Sequence, residues 1–156
     1  MNRYFSAALV ASALIAGPAG AQANHSGSWH SVESKSNWSD GQLPKGFSLT
    51  ITLQFSNNKL VYHSANDTNK DAVTGLDFTA MLDGMIVSIP NRPRYNQVSV
   101  KQLGPDEFQV LEMKDGDVIV GSFWTFSKDG KVFIRRGVGK GADGKSKAFE
   151  EYFERK

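Results

Sequence analysis

Beyond residue 46, apolar and polar side chains alternate along the chain in short runs separated by turn residues. In Leu49-Thr50-Ile51-Thr52-Leu53 the aliphatic residues share one face and the threonines the other, and Val98-Ser99-Val100-Lys101 repeats the arrangement. Period two marks antiparallel strands with one face in a core and the other toward water. Runs rich in β-branched and aromatic residues predict strands over 47–55, 60–64, 73–82, 85–89, 97–103, 108–114, 118–127, 131–138 and 147–155. The charged stretch 148–156 is the best rival for a helix, but no segment beyond residue 23 carries a convincing helical stripe.

The turns between these runs are regularly placed. Asp-Gly occurs at Asp40-Gly41, Asp83-Gly84, Asp115-Gly116, Asp129-Gly130 and Asp143-Gly144, the last three at 14-residue intervals. Asp-Gly suits a tight hairpin because both central residues need positive φ. Ser56-Asn57-Asn58-Lys59 and Gly104-Pro105-Asp106-Glu107 are further turn candidates. A 14-residue interval is a hairpin period, too short for solenoid or propeller repeats. Nine or ten short-looped strands form a meander whose two open edges are costly unless the sheet closes. The chain is therefore expected to be all-β, an antiparallel up-and-down meander closed into a barrel of 8–10 strands, with a two-sheet sandwich as the alternative.

The first residues obey a different pattern. Arg3 precedes an apolar run from Ala7 to Ala16, broken by Gly17-Pro18, and Ala21-Gln22-Ala23 supplies a small-x-small site. Charge, short apolar core and cleavage site in that order predict a secretion signal over 1–23, since the run is half the roughly 20 residues a membrane span needs. Export would leave residues 24–156 as one domain, periplasmic or extracellular. Removing 23 of 156 residues leaves 133, and losing Arg3, the segment's one charged residue, lowers the formal charge from +2 to +1. Near-neutrality gives no electrostatic case for nucleic acid or an anionic membrane as partner. The chain contains no cysteine, which rules out disulfides, zinc–thiolate sites, a thiol nucleophile and lipid attachment at a terminal cysteine. A soluble monomer without transmembrane segment, stabilised by buried apolar area, is expected.

Gly27-Ser28-Trp29 follows the signal. It resembles the G-x-W signature with which lipocalins and fatty-acid-binding proteins begin their first strand. The resemblance implies that Trp29 plugs the closed end of the barrel and that Arg155, at the end of the last predicted strand, packs over it. Lys35-Ser36, Pro44-Lys45, the strand Val98-Ser99-Val100-Lys101-Gln102-Leu103 and the turn Ser127-Lys128-Asp129-Gly130-Lys131 extend the likeness over nearly all of the chain beyond the signal. It is similar to a group of secreted bacterial lipocalin-like, calycin-type proteins, mostly of unknown function. The chain departs from true lipocalins in lacking their T-D-Y motif and their disulfide cysteines. The resemblance thus implies a barrel more firmly than a ligand.

Catalytic chemistry finds little support. His25 and His30 lie in the segment leading into the barrel and His63 in a predicted strand, none at metal-ligand spacing from another, so they read as surface or packing residues. No G-x-S-x-G elbow occurs, and nothing proposes a base for any serine. Asp67-Thr68-Asn69-Lys70-Asp71 opens like a calcium loop, but Ala72 replaces the required Gly and Phe78 the closing Glu. Asn24, Asn37 and Asn66 head Asn-x-Ser/Thr triplets, which matter only where such sites are glycosylated. The sequence points to binding, not catalysis, with neither metal nor cofactor.

Two binding modes remain. On 118–127 the larger face, carrying Val118, Val120, Ser122, Trp124 and Phe126, is read as inward, which makes Trp124 and Phe126 candidate lining for a small apolar or amphipathic ligand. Adjacent strand residues point to opposite faces, so one of Arg135 and Arg136 turns inward. With Val132 and Ile134 inward, it is Arg136. An inward guanidinium needs a partner. Glu151, between Phe149 and Phe153, either supplies that partner or points away and leaves Arg136 to an anionic head group. Alternatively the protein is a protein-binding module, an exported inhibitor or accessory of an envelope complex, using Arg92, Arg94 and Tyr95 on a loop marked by Pro90 and Pro93. Whether the interior is hollow or packed separates the two.

Overall fold

A computed structural model describes residues 25–90, 92–141 and 143–156. The expected secretion signal at 1–23 lies outside the described residues. Each predicted strand is present. The elements are β1 (Gly27–Ser31), β2 (Asn37–Trp38), β3 (Leu49–Ser56), β4 (Lys59–Asn66), β5 (Thr74–Met81), β6 (Asp83–Ser88), β7 (Gln97–Gly104), β8 (Glu107–Lys114), β9 (Asp117–Phe126), β10 (Val132–Lys140) and β11 (Ser146–Arg155). A 3₁₀ turn, Glu33–Lys35, follows β1. The 148–156 stretch is strand, because Phe149, Glu151 and Phe153 alternate toward the interior.

All strands belong to one antiparallel sheet, ordered β5-β4-β3-β1-β11-β10-β9-β8-β7-β6, with β2 added beside β11. A single sheet excludes the sandwich. Because β1 pairs with both β3 and β11, the first and last strands meet in mid-sheet and the meander wraps into a nearly closed barrel. Its seam falls between β5 and β6, which follow each other in sequence but share no ladder. At one end Leu82 stitches the seam: its N–H donates to Asn58 O and its carbonyl accepts from Gln102 N–H, both at 3.0 Å. At the other, the Arg92 guanidinium donates to the carbonyl of Gly75.

Hairpin turns alternate between the two ends, so the 14-residue Asp-Gly interval spans one strand and one turn. Asp115-Gly116 has both central residues at positive φ (50° and 92°), and Asn57-Asn58 does the same without glycine (49° and 58°). These two match the right-handed twist of two-residue hairpins.

One end of the barrel is plugged by aromatic rings. Phe126 stacks on Phe133 at 4.7 Å between ring centres, Phe133 on Phe153 at 5.0 Å, and Trp29 meets Phe126 edge-on at 5.3 Å. Trp29 is fully buried and Arg155 lies 4.5 Å over its ring, as the G-x-W resemblance implies. Arg155 also donates to Gly130 O (2.6 Å) and Ser26 O (2.7 Å), latching the last strand to the first. Gly27 is required beneath it. Its φ is 147°, and a Cβ there would stand 2.7 Å from Arg155 Nη1. His25 belongs to the plug, buried and stacked 4.3 Å from Phe126, with Nε2 3.1 Å from Asp106 Oδ1.

Candidate functional site

The other half of the barrel is not filled. A cavity of about 600 Å³ opens there, between the inward faces of the strands and the loops of the mouth. Apolar walls come from Phe47, Leu49, Leu76, Val120 and Phe149. Two segments roof it. The long connection from β1 to β3 brings Trp38, Pro44 and Phe47 inward. Residues 92–96 of the loop between β6 and β7 cross the mouth, tied to β5 by Arg92 and to β10 by Arg94 Nη2, which donates to Lys140 O at 3.1 Å.

A polar cluster forms the inner wall. β10 turns Phe133, Arg135, Gly137 and Gly139 inward, in register with Phe126, Trp124, Ser122 and Val120 of β9. The inward arginine is therefore Arg135, not Arg136. Val132 and Ile134 face the outside, and Arg136 projects half-exposed with Nε 2.5 Å from Glu150 Oε2. The stronger apolar pattern of β10 lies on its outward face because glycines occupy inward positions. A Cβ on Gly137 would stand 2.8 Å from Phe149 Cζ and closer still to Gly121 O, so that space belongs to neighbours and carries no hydrophobic residue of its own.

Glu151 does point inward and is the partner of an arginine, but of Arg135. Arg135 Nε and Nη2 donate to Glu151 Oε2 at 2.9 and 2.5 Å, while Trp38 Nε1 donates to Oε1 at 3.2 Å. Both oxygens are thus bonded, as burial demands. Burial alone would lower the Arg135 pKa; Glu151, then Tyr62 and Glu112, outweigh it and raise the net value. Tyr62, stacked 4.6 Å from Phe78, is pushed up to about 12 by burial. Tyr95 on the loop is raised by burial, with Glu112 adding to it.

Glu112 is the residue that sequence reasoning missed. It lines the cavity from β8. Burial raises its pKa, and Arg135 and Arg94 oppose the shift. Its signal was legible in the alternation Phe108-x-Val110-x-Glu112, which places a carboxyl on the apolar face of a strand.

The other expected site residues divide. Trp124 and Phe126 face inward as expected, yet neither lines the cavity. β9 runs from the mouth to the plugged end, so its last residues lie in the packed half. Trp124 Nε1 is bonded to Ser122 Oγ at 3.1 Å and its ring meets Phe133. Arg92, Arg94 and Tyr95 are together on one loop, but both guanidiniums hold main-chain carbonyls and Tyr95 turns partly buried toward the cavity. Among the described residues no group of three or more His, Cys, Asp or Glu is placed to hold a metal ion, and no helix is long and apolar enough to cross a membrane.

Solved structures with a similar course include a fatty-acid-binding protein of Schistosoma mansoni in complex with arachidonic acid. The fold is a fatty-acid-binding-protein-like barrel. The match covers 88% of this chain and 99% of that one, with a TM-score of 0.55 and 11% sequence identity, and at that identity it speaks for the fold alone. No protein-family model and no curated protein sequence matches this chain.

Proposed function

We propose that this is an exported carrier that holds a small apolar or amphipathic molecule in the mouth-side half of its barrel. The observation that carries the reading is the division of the interior: rings pack one half solid, while the other retains about 600 Å³. A ligand pocket of this kind runs from roughly 300 to 1,000 Å³, mostly apolar with a few placed polar groups. The Arg135–Glu151–Trp38 cluster supplies such groups on an otherwise apolar wall. Burying an aliphatic chain there would contribute roughly 0.8 kcal/mol per methylene. The crossing loop and the β1–β3 connection would then control passage. Export to the periplasm or beyond rests on the signal-like pattern at 1–23. Native mass spectrometry of protein recovered from its own compartment tests the carrier role. A bound small molecule lost on denaturation is expected; bare protein that also leaves a neutral dye such as Nile red dark would refute it.

A further inference from the structure

The cavity's polar groups are not equally engaged, and the difference bears on what the cavity accepts. Arg135 is held by Glu151, whose second oxygen takes the Trp38 N–H. At the rim Arg92 and Arg94 bond main-chain carbonyls, and Lys147 Nζ lies 3.1 Å from Asp40 Oδ2 and 3.7 Å over the Trp38 ring. Glu112 alone among the cavity's charged side chains has neither a hydrogen bond nor an ion-pair contact. A carboxyl facing a confined space needs donors, and an acceptor that finds none there is destabilising. We propose that the amphipath taken by this barrel presents a hydrogen-bond-donating head, above all a long-chain ammonium, to the carboxyl of Glu112, with its chain against the apolar walls.

This deepens the carrier reading and rests on it. Five groups share the surroundings of Glu112: Arg135 from β10, Glu151 from β11, Tyr62 from β4, and Arg94 and Tyr95 from the loop. Arg135 is neutralised by Glu151 at 2.5 Å. Arg94 is exposed, where water and salt screen it. An ammonium therefore gives the second interior carboxylate a counter-charge, whereas a carboxylate head would be a third acid around one inner guanidinium. Ammonium binding favours ionised Glu112. It lowers a pKa that burial has raised, releases a proton, and weakens as the medium becomes acid enough to protonate the empty site.

The experiment is displacement of Nile red, at pH 7 and below aggregation concentrations, by decylammonium, decanol and decanoate of equal chain length. Decylammonium is expected to bind about tenfold or more tighter than decanoate, a difference of about 1.4 kcal/mol or more. Glu112→Gln should erase that preference while still binding Nile red and decanol. Equal or tighter binding of decanoate by the native protein would overturn the inference. So would an ammonium preference that persists in Glu112→Gln. If Nile red and all three amphipaths fail to bind, the carrier reading falls with it; if Nile red and decanol bind without head-group preference, only the Glu112 assignment falls.

Discussion

Arg135 and Glu151 face each other across the β10–β11 ladder, and both the Nε and the Nη2 of the guanidinium reach one carboxylate oxygen. The side chains are 16% and 5% exposed, so this is an ion pair inside the barrel. Attraction in such a place competes with the cost of removing two charges from water. Trp38 tips the balance by bonding the remaining oxygen, which ties the short strand β2 to the barrel wall.

Removing one partner should therefore be worse than removing both. Glu151→Ala leaves a buried guanidinium uncompensated and is expected to cost about 3–5 kcal/mol. The double replacement Arg135→Met with Glu151→Leu restores apolar packing and should cost distinctly less, read as denaturation midpoints in urea. A double variant as unstable as Glu151→Ala would mean that the pair contributes net stability beyond relief of its own burial.

At the plugged end, Gly27 and Arg155 are coupled. Gly27→Ala brings a Cβ to 2.7 Å from Arg155 Nη1 at a φ of 147°, so it combines backbone strain of about 1–3 kcal/mol with displacement of the latch. In an Arg155→Ala background the clash is gone and only the strain remains. A double-mutant cycle should show the second substitution costing less than the first. Strict additivity would show that the arginine yields freely and that Gly27 is needed for its conformation alone.

The seam makes a kinetic prediction. Arg92 bonds the Gly75 carbonyl where β5 and β6 part, and one such bond contributes only about 0.5–1.5 kcal/mol net. Arg92→Ala should leave the global midpoint within that range. It should accelerate hydrogen exchange in β5 more than in β10, because only the seam loses a restraint. Uniform acceleration across both strands would instead mean that the loop stabilises the whole barrel.

Strand positions were legible because alternation survives wherever both faces carry side chains, as in β3. Barrel closure was legible through the turn spacing and Gly27-Ser28-Trp29. Facing failed in β10, where Gly137 and Gly139 make room for Phe149 and Val120 and leave the stronger apolar signal on the outside. The division of the interior was illegible because Trp124 and Val120 lie on one face of one strand, yet the former is packed and the latter borders empty space. Depth along a barrel is set by strand stagger, which alternation does not encode.

Glu112 predicts how stability depends on pH in the empty protein. Burial raises its pKa above the ordinary 4.5, so the folded state holds the proton more tightly than the unfolded chain does. Above pH 4.5 the unfolded carboxyl ionises first, and folding stability falls with rising pH until the folded group has ionised as well. The contribution is fully present below pH 4.5 and lost above. Glu112→Gln removes this loss, so the variant should be more stable than the native protein at pH 7, with the advantage shrinking as both are brought toward pH 4. Subtracting the two midpoint-against-pH curves cancels the carboxylates and histidines they share. A difference curve that is flat, or that grows toward acid pH, would show that Glu112 is already adequately solvated or paired in the empty barrel, and no ligand donor would be needed to complete it.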